Sequence, residues 1–144
     1  MTDAVLDASA IVAWLQSEPG AEKVADVLGS SACAMSAVNV SEVASKLAEG
    51  GSNRDRIQEI IGALHVEVAT FDTEAALDAA LLRPLTSAKG LSLADRACLA
   101  LAMRLGVPVV TTDRAWAALS LPVTVTLARP AGESKSPDEN DARP

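Results

Sequence analysis

The stretch LSLADRACLALAMRLGVPVVTTD, Leu91 to Asp113, decides how the rest of the chain is read. Up to Gly106 it has the pattern of a helix that is almost wholly apolar after Asp95, broken only by Arg96 and Arg104. Leu91, Asp95, Cys98, Ala102 and Leu105 recur at helical spacing and share one face. The opposite face is apolar too, so the helix is expected to be buried nearly all round, with Arg96 and Arg104 as its polar margin. Ser92 and Asp95 have the spacing of a capping box. A cap needs only one backbone contact and is stable in water. A carboxylate on a packing face has a further requirement: it must be paired or metal-bound, because desolvating it alone is unfavourable.

Beyond this helix, GVPVVTTD reads as a short strand, RAWAAL as a short helix and PVTVTL as a fifth strand. Upstream, strands are expected near Ala4–Leu6, Cys33–Met35 and within HVEVAT. Helices are expected over about Ser9–Gln16, Ala21–Leu28, NVSEVASKLAEG and Asn53–Leu64. Another is entered at Asp72 or Thr73 and runs toward Ser87–Gly90, with Pro84 predicting a kink or an early end. Strands alternating with helices predict an α/β fold, a parallel sheet of about five short strands covered on both faces. Residues 1–128 form one domain in this reading. From Arg129, RPAGESKSPDENDARP is rich in Pro, Ser and charge without periodicity, and residues 129–144 are expected to be a disordered tail.

The composition excludes several functions. With 144 residues the chain can bury a real core. A formal charge of -7 argues against a non-specific, high-affinity nucleic-acid binder. It does not exclude a nuclease, since bound divalent metals reverse the local sign. Aromatic residues are limited to Phe71, Trp14 and Trp116, too few for a base-stacking platform. Cys33 and Cys98 have no companions at metal-ligand spacing, and His65 is the sole histidine, so zinc chemistry is poorly supplied. No cationic leader precedes an apolar run, and no apolar stretch approaches a membrane span. The expected location is cytoplasmic.

Four acids fall at element ends. Asp7 follows the first strand and Asp113 follows the fourth, where open parallel sheets bind ligands. Asp95 opens the apolar helix, and Glu42 lies early in the helix after the second strand. Taken singly, Asp7, Asp95 and Asp113 fit helix caps, and Glu42 fits a solvated helix position. Together they reach one end of the sheet. Clustered carboxylates raise each other's pKa, and Mg2+ or Mn2+ resolves that conflict through oxygen ligation.

LDASAIVAWL, SAVNVSEVASKL, LSLADRACLALAMRLGVPVVTTD and RAW together resemble a PIN domain, and more narrowly the VapC-type ribonuclease toxins of bacterial toxin-antitoxin pairs. The likeness covers about Val5 to Leu127. It implies a three-layer α/β/α fold and a metal-dependent endoribonuclease. It also implies a homodimer and a VapB-type antitoxin that docks across the fold. Asp7, Glu42, Asp95 and Asp113 match the family's acids. Asp7 and Asp95 are expected as direct metal ligands, with Glu42 and Asp113 direct or water-mediated. Ser9 and Thr112 match polar positions beside the metal. The cations Lys46, Arg96 and Arg114 flank the acids, either to meet RNA phosphates or to offset the acidic charge. Trp116 is expected to pack the short helix on the sheet. Trp14 is expected either in the core or at a partner surface. Two other readings remain at this stage: an RNA-processing or DNA-flap nuclease with the same fold, and a non-catalytic binding module whose acids only cap and solubilise.

Overall fold

The computed structural model describes residues 1–129. Five strands form one all-parallel sheet: β1 Ala4–Leu6, β2 Cys33–Ser36, β3 Glu67–Ala69, β4 Val109–Thr111 and β5 Val125–Leu127. Their order is β3-β2-β1-β4-β5. Val5 of β1 pairs with Ala34 on one side and Val109 on the other. The chain runs outward from β1 in both directions, so the switch point of the sheet lies between β1 and β4, and their carboxyl ends open side by side. An open parallel sheet binds ligands at this place.

Among the described residues, seven α-helices connect and cover the strands: α1 Ala8–Leu15, α2 Ala21–Ser30, α3 Ala37–Glu49, α4 Arg54–Ala63, α5 Thr73–Leu81, α6 Arg83–Thr86 and α7 Leu93–Leu105. Strand alternation divides the core in two. Leu6 and Val110 point to one side, where Ile11, Val24, Met35, Val43 and Leu64 pack. Val5 and Val109 point to the other, with Leu82, Leu91, Cys98, Leu99 and Trp116. The parallel sheet covered on both faces that the alternating elements predicted, and the three-layer α/β/α fold that the resemblance implied, are therefore observed, and Trp116 packs its 3-10 turn (Arg114–Ala118) onto the second core. Trp14 is half-buried against the first core. Burial pushes the Cys98 thiol well above its usual range, in keeping with an inert core residue.

The helix that Pro84 was expected to kink or end early stops at Leu81. Pro84 then occupies the first turn of α6, where its missing N–H is harmless, and a 3-10 turn carries the chain to Lys89. α1 already stops at Leu15, ahead of Pro19-Gly20; Gly20, the N-cap of α2, has φ +99, and a Cβ there would meet the Ala128 carbonyl at 3.2 Å, so glycine lets this turn seat against the residue that follows β5. Among the described residues no helix is long and apolar enough to cross a membrane. The tail expected at 129–144 falls, from residue 130, outside the described residues.

The start of α7 is built as its sequence predicted. Ser92 Oγ accepts from Asp95 N at 3.1 Å, and Asp95 Oδ2 accepts from Ser92 N at 3.0 Å, completing a capping box. Ser92→Ala is expected to destabilise the fold by about 1 kcal/mol in chemical denaturation.

Candidate active site

Asp7 leaves β1 at its carboxyl end and is the backbone N-cap of α1, yet its carboxylate makes no cap bond. It is 4% exposed. Ser9 Oγ donates to its Oδ2 at 2.7 Å and Thr111 Oγ1 donates to the same atom at 2.9 Å. The two hydroxyls are oriented from behind. The backbone N–H of Thr112 donates to Ser9 Oγ, and that of Asp113 donates to Thr111 Oγ1. Each hydroxyl thus accepts from the chain after β4 and has its proton available for Asp7. Burial pushes the Asp7 pKa from 3.8 up to about 6. The Ser9 and Thr111 hydroxyls pull it down, while the charges of Asp95 and Glu42 push it further up. The last two effects place those acids within electrostatic reach of Asp7.

The four acids come together. Asp7, Glu42, Asp95 and Asp113 line one cleft of about 330 Å³ with Ser9, Val12, Glu18, Lys46 and Thr112. Asp95 is half-buried, Glu42 and Asp113 are exposed at the rim, and Asp7 forms the floor. In each of the four carboxylates the described hydrogen bonds end on a single oxygen. Asp7 Oδ2 is held by the hydroxyls and Asp95 Oδ2 by Ser92 N. Glu42 Oε2 accepts from Asn39 Nδ2 at 3.3 Å, and Asp113 Oδ1 caps Ala115 N at 3.0 Å. One oxygen orients each group while the second makes no hydrogen bond among the described residues. Asp95 and Asp113 each cap a helix start while lining the cleft.

An all-oxygen donor set suits a hard divalent cation, Mg2+ or Mn2+, and not zinc. A buried Asp with a raised pKa and acidic neighbours is also a group that a cation would relieve. Among the described residues, no three Asp, Glu, His or Cys side chains form a preassembled metal cage. The residues fit the ion by the chemistry of their oxygen donors and by lining one shared cleft.

The structure revises the supporting residues. Thr111, 0% exposed, supplies the hydroxyl that reaches Asp7, whereas Thr112 acts through its backbone N–H. Arg96 does not belong to the site. It is 9% exposed, and its Nη1 donates to the Ala79 carbonyl of α5 at 3.0 Å, so it faces the α5–α7 contact and not an RNA surface. It is thus no part of the exposed margin of α7. Arg104 does lie there, paired with Asp78 at 2.7 Å. Lys46 lines the cleft, and Arg114 is exposed immediately after Asp113 without lining it.

Two residues escaped the sequence reading. Glu18 reaches the cleft because Ser17 adopts φ +53 and the Glu18 N–H donates back to the Ala13 carbonyl at 2.8 Å. Asn39, 0% exposed, backs Glu42. The only available signal for Asn39 was an amide three residues before an acid in an otherwise apolar helix face.

A PIN domain model matches residues 4–120, and the chain belongs to the PIN domain family. Its fold is similar to that of several solved structures. A chain of the DNA-bound VapBC complex from Salmonella typhimurium is 19% identical with a TM-score of 0.67, over 89% of this chain and 99% of that one. FitAcB from Neisseria gonorrhoeae is 23% identical with a TM-score of 0.64, over 87% and 97%. Mycobacterium tuberculosis VapC20, a sarcin-ricin loop cleaving toxin, is 14% identical with a TM-score of 0.64, over 85% and 99%. No curated protein sequence matches the chain.

Proposed function

We propose that this PIN domain is a VapC-type toxin, a metal-dependent endoribonuclease that hydrolyses RNA phosphodiester bonds and is neutralised by a VapB-type antitoxin. The observation that carries this reading is the cleft at the carboxyl ends of β1 and β4, where Asp7, Glu42, Asp95 and Asp113 converge, each with one oxygen tethered. Such tethering fixes the orientation of metal-ligating groups.

Asp7 and Asp95 would hold the ion directly, and Glu42 and Asp113 directly or through water. A bound Mg2+ or Mn2+ would neutralise phosphate charge and lower the pKa of its water. The chain's own residues do the rest. Ser9 and Thr111 keep the Asp7 carboxylate aimed from the floor of the cleft. Asp95 is fixed by the start of α7, and Asp113 by the turn after β4. Lys46, on the wall, supplies a cation for an RNA phosphate, and Arg114 offers a second beside Asp113. Arg96 has no such role.

An acidic cleft also suits a basic side chain of an antitoxin. The VapBC complexes among the structural neighbours support that partner, and the VapC20 neighbour supports an RNA target. The proposed homodimer finds an apolar surface in exposed Leu77, Leu81 and Leu85 of α5 and α6. The proposed location is the cytoplasm, with the RNA. Brief expression followed by mapping of new 5′ ends across total cellular RNA tests the reading. The expected result is growth arrest with cuts at few sites, both lost in Asp95→Asn. Growth arrest unchanged by Asp95→Asn would refute it. Cleavage without arrest would favour a processing nuclease of the same fold.

A further inference from the structure

Asn39 is a polar residue, fully buried, on a helix whose other fully buried side chain is Val43. Its Nδ2 lies 3.3 Å from Glu42 Oε2 and 3.0 Å from the Ala94 carbonyl of α7. Both neighbours are acceptors, so the amide nitrogen must be the atom that faces them, one N–H for each. Its Oδ1 is then buried with no partner among the described residues. An aliphatic side chain of the same size would avoid that unsatisfied oxygen. The Ala94 carbonyl, inside α7, already faces the N–H one turn on and does not require the contact. Stability alone therefore gives little reason for an amide here. The amide's distinctive contribution is to hold one oxygen of an exposed, rotatable glutamate at the cleft, from a base clamped to the residue just before Asp95.

We propose that Asn39 is a positioning residue for the acid cleft. It fixes the Glu42 carboxylate, and with it the spacing of α3 from the Asp95 end of α7, for binding of the divalent cation. The inference rests on the metal-dependent reading above. Replacing Asn39 leaves Glu42 charged but free to turn into solvent, so the loss falls on metal affinity and not on folding.

The test is Mn2+ binding by calorimetry on the metal-stripped full chain, alongside thermal unfolding in EDTA, for wild type, Asn39→Leu, Glu42→Gln and the double variant. Asn39→Leu is expected to weaken Mn2+ binding about tenfold, the range for groups that orient ligands, with Tm in EDTA unchanged or raised. In the Glu42→Gln background the same change should add less than about twofold, since the two residues act as a unit. Wild-type affinity in Asn39→Leu, or the same loss in both backgrounds, would overturn the proposal. Asn39→Ser provides the same cycle if the Leu variant does not fold. A wild type that binds no Mn2+ would overturn the metal reading and this inference together, whereas binding that Asn39→Leu leaves intact would overturn only the inference.

Discussion

Asp7→Asn is expected to give a protein that is more stable than the wild type in EDTA at pH 7.5 and has lost nuclease activity. Burial raises the Asp7 pKa from 3.8 to about 6, so the folded state binds the proton more tightly than the unfolded state. Wild-type stability is then greatest below pH 4 with respect to this group and falls as pH rises through the interval from 3.8 to about 6. Above that interval the fold carries a buried charge, at a cost of about 3 kcal/mol for roughly two pKa units. Asparagine keeps an oxygen for the Ser9 and Thr111 hydroxyls and removes the charge. The gain should approach that figure, on the order of 10 °C in Tm, and should shrink toward zero near pH 4. Activity should fall by more than about 100-fold, because loss of a group that merely orients a ligand already costs ten- to 100-fold. Thermal unfolding at both pH values checks the sign. A variant less stable than wild type at pH 7.5 would contradict it.

Chelation is expected to have the second large effect. Wild type in EDTA should not cleave RNA, and added Mg2+ or Mn2+ should restore cleavage and raise Tm together. An ion that binds only the folded state stabilises it by about 2.7 kcal/mol at 100 times its Kd. That is close to the charge penalty at Asp7, so saturating metal should bring the wild-type Tm up to that of Asp7→Asn, which itself should respond little. The ion competes with protons for Asp7, so its stabilisation should weaken as pH drops below about 6. A Tm shift of equal size in both proteins would place the ion elsewhere.

The sheet, its parallel sense and the end at which the acids meet were legible because short apolar strands alternated with helices, with Asp7, Asp95 and Asp113 at element boundaries and Glu42 in the first half of α3. The face of α7 carrying Asp95, Cys98 and Ala102 was read as a packing face; Cys98 and Ala102 are buried, whereas Asp95 is half-buried and Leu105 on the same face is exposed, because the helix ends extend past the core. Arg96 misled for a physical reason: helical periodicity gives a residue's angle but not what the neighbouring helix offers, and α5 presented the Ala79 carbonyl to a buried guanidinium. Adjacent threonines in VVTTD were indistinguishable by composition. The pleat decides between them, sending the side chain of Thr111 toward Asp7 and leaving Thr112 to act through its N–H. Glu18 was hidden because its position depends on one left-handed residue, Ser17, whose type does not announce that conformation. Asn39 was hidden because its role is a tertiary contact between α3 and α7.

The most direct measurement is cleavage of total cellular RNA by the purified chain with Mn2+, with EDTA, and as Asp95→Asn with Mn2+. Discrete fragments in the first reaction and none in the other two are the predicted result. Fragments that persist in EDTA, or in Asp95→Asn at the wild-type rate, would contradict the carboxylate-metal site.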